Sequence, residues 1–189
     1  MRAVASFPLA AFVVAAVVVA SPARAADYVQ APGSTLTFAS SYDGEVFSGR
    51  FPAFTTKLSF DPKQLATARL DVVIPLAGTT TANPERDETL LGSDFFNVAK
   101  FAQARYTATR FRSLGGNRYA ADGALSLRGV SRPVTLTFTW TPGARPVLSG
   151  KATVKRLDFG IGGGDWADTA TLPNDVAVST RVVLVPAAK

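Results

Sequence analysis

The sequence predicts an all-β protein, an antiparallel closed barrel or sandwich of about eight strands carrying one short helix. Three observations predict it. Period-two alternation of apolar and polar residues runs through most of the chain, as strands with one buried and one solvated face require. Turn chemistry closes the alternating runs, and only residues 83–92 carry helix signals.

The chain opens on a segment of another kind. Arg2 supplies a small positive region, Leu9 to Ala20 an almost unbroken apolar run, and Ala23-Arg24-Ala25 a small-x-small cleavage site. Residues 1–25 therefore read as a secretory signal, and residues 26–189 as the mature domain. A transmembrane anchor is the competing reading, but the apolar run falls short of the ~20 residues that span a bilayer core, and Ser21-Pro22 interrupts it.

Residues 134–140, Val-Thr-Leu-Thr-Phe-Thr-Trp, show the alternation most clearly, with four apolar side chains on one face and three threonines on the other. The pattern places strands near 34–41, 45–60 with an interruption at Pro52, 68–75, 104–112, 118–128, 132–140, 147–155 and 175–185. Tyr42-Asp43-Gly44, Asp61-Pro62-Lys63, Gly115-Gly116-Asn117, Arg128-Gly129 and Pro142-Gly143 supply turns between runs. The connections are mostly short, so consecutive strands pair antiparallel. Between the third and fourth strands, Asn83 is an N-cap residue, Pro84 suits the first helical position, acidic residues occupy the first turn and Gly92 stops the helix. Such a helix could lie across a barrel mouth.

Composition removes whole classes of chemistry. The chain has no cysteine and no histidine. Disulfides, thiolate nucleophiles, imidazole bases, Ser-His-Asp triads and the usual zinc, copper or haem ligands are excluded together. No cofactor and no metal is expected. Loss of Arg2 and Arg24 with the signal lowers the formal charge from +6 to +4, too little to suggest nucleic acid.

The remaining polar features each have a structural and a functional reading. Glu85, Asp87, Glu88 and Asp94 could form an acid/base pair, but acidic residues at a helix start answer its dipole, and no second acidic cluster faces them. Gly160-Ile161-Gly162-Gly163-Gly164 lacks the phosphate-loop pattern and reads as a tight loop. Arg86, Arg128 and Arg156 are head-group candidates, since guanidinium groups bind anions bidentately; a solvated rim is the plain alternative. An eight-stranded barrel interior is either filled by side chains or holds one small ligand, so inward residue size decides. If Leu125 and Leu148 face inward, period two sends Gly123, Ala121, Gly150 and Ala152 inward with them. Small inward residues leave a hollow or merely relieve crowding.

Several motifs carry a family resemblance: Gly49-Arg50-Phe51 with Phe54 and Phe60-Asp61; Arg86-Asp87, Leu90 and Ser93-Asp94-Phe95-Phe96; the run Gly123 to Val134; and Arg156-Leu157-Asp158-Phe159-Gly160-Ile161-Gly162 with Trp166-Ala167-Asp168. In their order and spacing the chain resembles the YceI-like family of bacterial periplasmic, polyisoprenoid-binding proteins. The resemblance implies an eight-stranded antiparallel lipocalin-like barrel, an apolar interior for a polyisoprenoid or similar long chain, a periplasmic location and no catalytic residues. Thr89-Leu90 stands where the family often has a histidine before the leucine, and Phe101-Ala102 where it often has Tyr-Pro.

The expected function is therefore a periplasmic carrier that holds a long isoprenoid or quinone-like chain inside the barrel. The expected chain-lining set is Phe38, Phe60, Leu70, Val72, Phe95, Phe96, Leu125, Phe138, Trp140, Gly150, Ala152, Phe159 and Trp166. Two other classes stand beside it: a module that docks on a membrane redox protein or on a second copy of the chain as a homodimer, and a carboxylate hydrolase or isomerase using Asp87, Asp94 or Asp158.

Overall fold

The alternating runs form ten antiparallel strands in the computed structural model, which describes residues 26–188. They are β1 (Ala26–Gln30), β2 (Thr35–Tyr42), β3 (Glu45–Arg50), β4 (Thr55–Phe60), β5 (Arg69–Pro75), β6 (Gln103–Gly115), β7 (Arg118–Leu127), β8 (Val130–Thr141), β9 (Val147–Lys155) and β10 (Asp175–Pro186), with helix α1 (Pro84–Leu91) between β5 and β6. The expected export signal lies outside the described residues.

Hydrogen bonding runs β1-β4-β5-β6-β7-β8-β9-β10-β2-β3, and β10 also pairs with β1, which closes the sheet. β1 and β2 lie end to end along β10, with Gln30 opposite Leu184 and Thr35 opposite Arg181. β3 and β4 lie end to end in the same way, β3 against β2 and β4 against β1. Ten strands thus make eight staves, and the barrel rather than the sandwich is the architecture. The break between β3 and β4 falls at Pro52, which cannot donate to a ladder. The break between β1 and β2 contains Gly33 at φ +92°, a conformation glycine adopts freely. β1 itself was not among the expected strands: its inward positions are Tyr28 and the polar Gln30, too few and too mixed to read as alternation.

Beyond its pairing with β2, β3 has among the described residues only the isolated Arg50–Thr80 bridge on its other side, made by backbone hydrogen bonds of 2.8 and 3.1 Å. The connection carrying α1 occupies this side. Asn83 Oδ1 caps the helix by accepting from the Arg86 amide at 3.0 Å, and the Gly92 amide closes it on the Glu88 and Thr89 carbonyls. Asp87 accepts from the hydroxyls of Thr80 and Thr81 and from the Thr81 amide. Partial burial raises its pKa, but these donors outweigh it and hold the carboxylate below the ordinary value. Asp87 is thereby engaged in anchoring α1 to the strand edge.

The interior divides into two levels. At one end Phe60 lies at the centre of an aromatic cluster, with ring centroids 4.9 Å from Trp140, 5.1 Å from Tyr119, 5.6 Å from Phe138 and 6.0 Å from Phe111. Phe60, Phe138 and Trp140, expected to wall a ligand space, instead plug this half of the barrel. The glycines expected to hollow it are also filled. A Cβ on Gly150 would come within 2.9 Å of Leu136 and 3.2 Å of Phe138, and one on Gly123 would meet the Tyr106 ring at 2.7 Å. Here small residues admit large neighbours from adjacent strands, the close packing that protein interiors favour.

Candidate ligand chamber

Above the aromatic plug the inward side chains, aliphatic and aromatic, no longer fill the barrel. They enclose a cavity of about 190 Å³. Leu36 and Phe38 of β2, Leu70, Val72 and Ile74 of β5, Leu125 and Leu127 of β7, Ala152 and Val154 of β9 and Val176, Val178 and Val182 of β10 form its wall. Tyr106, Leu136 and Leu148 bound it toward the plug. Leu90 of α1, Phe95 and Phe96 after the helix, and Ile161 and Leu172 from the β9–β10 connection complete it at the helix end. One water needs roughly 10–15 Å³ on this scale, so the chamber takes on the order of a dozen such groups. That is the end segment of a long chain rather than all of it.

Of the expected lining residues, the chamber brings together Phe38, Leu70, Val72, Phe95, Phe96, Leu125 and Ala152. Phe60, Phe138, Trp140 and Gly150 belong to the plug. Phe159 is buried in the core but does not line the cavity. Trp166 packs on Phe95 at 5.3 Å and on the exposed Tyr42 at 6.1 Å, outside the lining. Among the lining residues that sequence reasoning missed, Phe47 and Phe51 lie in an interrupted run, Leu76 lies in the connection that carries α1, and Ala104 is a small residue at the start of β6.

The three arginines have separate fates. Arg156 is 3 % exposed and lines the chamber, but its guanidinium donates to five backbone carbonyls: Pro173 at 3.1 Å, Ile161 at 3.0 Å, Gly162, and Trp166 and Leu172 at 2.7 Å each. Burial lowers its pKa from the ordinary guanidinium value, and arginine stays charged in proteins all the same. Its donors are spent on folding the connection, so Arg156 is not a head-group residue. Arg128 donates to the carbonyls of Gly160 and of Ser93, the latter at 2.6 Å, tying the segment after α1 to the β9–β10 connection. Arg86 lies 4.5 Å over the ring of Phe47, itself a lining residue, and its guanidinium has no ion pair among the described residues. Arg128 keeps only a buried, unpartnered Nε, whereas the Arg86 guanidinium makes no hydrogen bond or ion pair among the described residues and is the best placed of the three to meet a ligand.

Tyr106 is buried, and its hydroxyl donates toward the carbonyls of Ala121 at 2.8 Å and Val134 at 3.1 Å. Desolvation pushes its pKa up to about 12. Between the unfolded value near 10 and this one, the unfolded chain has lost the phenolic proton and the folded chain keeps it. Stability therefore falls as pH rises through that window, by about 1.4 kcal/mol per pH unit. Alkaline unfolding should show this slope, and Tyr106→Phe should remove it.

None of Asp87, Asp94 and Asp158 lines the chamber. Asp87 is held by Thr80 and Thr81, Asp94 and Asp158 are exposed, and no group of metal-binding side chains occurs among the described residues.

A closed antiparallel barrel with an apolar chamber above a packed plug defines a hydrophobic-ligand carrier. Comparison with known proteins makes the assignment particular: the chain belongs to the YceI-like domain family, whose model matches residues 28–184. It is 30 % identical over 165 residues to a UPF0312 protein of Shewanella baltica, covering 81 % of this chain and 86 % of that one. A UPF0312 protein of Vibrio campbellii is 32 % identical over 159 residues, with 77 % and 84 % covered. Among solved structures, BcnA of Burkholderia cenocepacia superposes with a TM-score of 0.76 at 26 % identity, over 79 % of this chain and 95 % of that one. A polyisoprenoid binding domain from Saccharophagus degradans, implicated in plant cell wall breakdown, shares the fold at 17 % identity with a TM-score of 0.67, over 86 % and 99 % of the two chains.

Proposed function

We propose that this protein is an exported periplasmic carrier, not an enzyme, that draws the end of a long isoprenoid or quinone-like chain into the chamber between the aromatic plug and α1. The observation that carries the reading is the cavity itself, walled mostly by leucine, valine and phenylalanine. A methylene buried there gains about 0.8 kcal/mol, so a segment of several carbons binds without any catalytic or charged group. The signal-like first 25 residues support export. A fold relative described as a polyisoprenoid binding domain makes isoprenoids the first chains to test. Where the chain carries a charged end group, that group stays at the mouth beside Arg86, because burying an unpaired charge among aliphatic side chains is prohibitive.

Mass spectrometry of organic extracts of the protein purified from a bacterial periplasm tests this. The expected result is a stoichiometric isoprenoid or quinone-like lipid. Protein that is extractable into the periplasm yet empty, and that takes up no such lipid when offered it, would overturn the reading.

A further inference from the structure

The chamber is blind at its inner end. On β6, β8 and β10 the lining stops at Tyr106, Leu136 and Val182. The next inward residues on those strands, Ala108, Phe138 and Leu184, are at most 3 % exposed, and none of them borders the cavity. Two glycines make room for this floor. The Tyr106 ring lies 2.7 Å from where a Cβ on Gly123 of β7 would stand, so its hydroxyl reaches past β7 to the Val134 carbonyl of β8 as well as to that of Ala121. Leu136 leans over Gly150 of β9 in the same way, its Cδ1 only 2.9 Å from the position of a Cβ there. Leu148, fully buried, completes the floor on β9. A chain therefore enters from the helix end and stops at these side chains. Along β10 the wall runs from Val176 to Val182. That is about 20 Å of strand, and roughly 15 Å along the axis at the usual tilt of strands in such barrels, the length of a straight hydrocarbon of about a dozen carbons. The cavity volume of about 190 Å³ agrees, holding on the order of a dozen groups of that size.

Resting on the carrier reading, we propose that the chamber is a gauge of fixed depth, with Leu136 and Leu148 setting that depth. It engages the last dozen or so carbons of an apolar chain, about two isoprene units, and is indifferent to chain length beyond them. Each methylene that meets the wall tightens binding about fourfold, and each one left outside the helix end adds little. Short chains are thereby selected against, while all longer ones are held alike by their ends.

Displacement of the neutral fluorophore N-phenylnaphthylamine from the delipidated protein by n-alkyl maltosides, hexyl through hexadecyl and each below its micelle threshold, tests this. The sugar cannot follow into an apolar space, so the chain enters tail-first. In wild type, affinity should climb about fourfold per methylene and level off near about a dozen carbons. Leu148→Ala should move the break outward by about two or three carbons and tighten hexadecyl maltoside on the order of 10-fold. Leu184→Ala is the control: Leu184 is as deeply buried, one inward step beyond Val182, so its loss loosens the plug and should leave the break in place. Should Leu148→Ala fail to fold, Leu148→Val removes a single methylene and should move the break by about one carbon. Affinity that keeps climbing to the hexadecyl chain in wild type would overturn the gauge. An unmoved break in a folded Leu148 variant, or the same shift in Leu184→Ala, would overturn the assignment of its floor. Failure of every maltoside to displace the fluorophore would instead count against the chamber as a binding site and so against the carrier reading itself.

Discussion

Arg156→Met is expected to lower stability by about 3–5 kcal/mol, the usual cost of removing one side of a buried charged network. Methionine fills similar volume but donates nothing, so the five carbonyls that converge on the guanidinium lose their common donor. The loss is less than five separate hydrogen bonds would suggest, because the connection between β9 and β10 can open and let water reach those oxygens. In a domain of this size each kcal/mol moves the melting temperature by roughly 2–4 °C, so a drop of roughly 6–20 °C is expected. Arg156→Lys should fall between, since an ammonium offers three donors and no planar fork. Hydrogen exchange separates this loss from a general one: the amides of Ile161, which donates to Arg156 O, and of Leu172, which donates to Asp168 O, should lose protection before those of β7 and β8. A melting temperature within about 2 °C of wild type would show that the connection satisfies its carbonyls by other means. Because Ile161 and Leu172 bound the chamber, the same variant should release a bound chain faster.

The barrel was legible because alternation is local. Whether Leu136, Phe138 and Trp140 face inward can be read from the threonines between them, and all three are buried. Helix α1 was equally local, with Asn83, Pro84 and Gly92 in the expected capping and end positions. The placement of the hollow was not, because it depends on which level of the barrel a residue occupies and on what crosses from the facing strand. Phe60 and Phe38 look alike in sequence; one meets four other aromatic rings while the other borders the cavity. Gly150 reads as empty space, yet Leu136 and Phe138 close over it. Arg156 reads as a surface cation because its partners are carbonyls, which leave no mark in side-chain pattern. The one available sign was the glycine-rich run after it, where Gly160 and Gly162 take left-handed φ values of +66° and +61° that bend the chain around the guanidinium.

That correction moves the site at which the chamber can be blocked. Gly150→Phe would force a ring into Leu136, Phe138 and the Thr137 carbonyl, an overpacking that unfolds the plug before it informs on binding. Ala152, one inward step along β9 and paired with Val178, borders the cavity instead. Ala152→Phe introduces a ring into space that the structure leaves open, without displacing a packed neighbour. If the ring excludes only three or four methylenes of a bound chain, at about 0.8 kcal/mol each, affinity should fall on the order of 100-fold. Stability should hold or rise, as cavity filling generally gives. Titration with a fluorescent apolar chain, alongside thermal unfolding of the same samples, checks both halves. Undiminished binding in a folded Ala152→Phe protein would place the chain somewhere other than between the plug and α1. Loss of binding with an unchanged melting temperature would locate it there, because no apolar segment can share that volume with the ring.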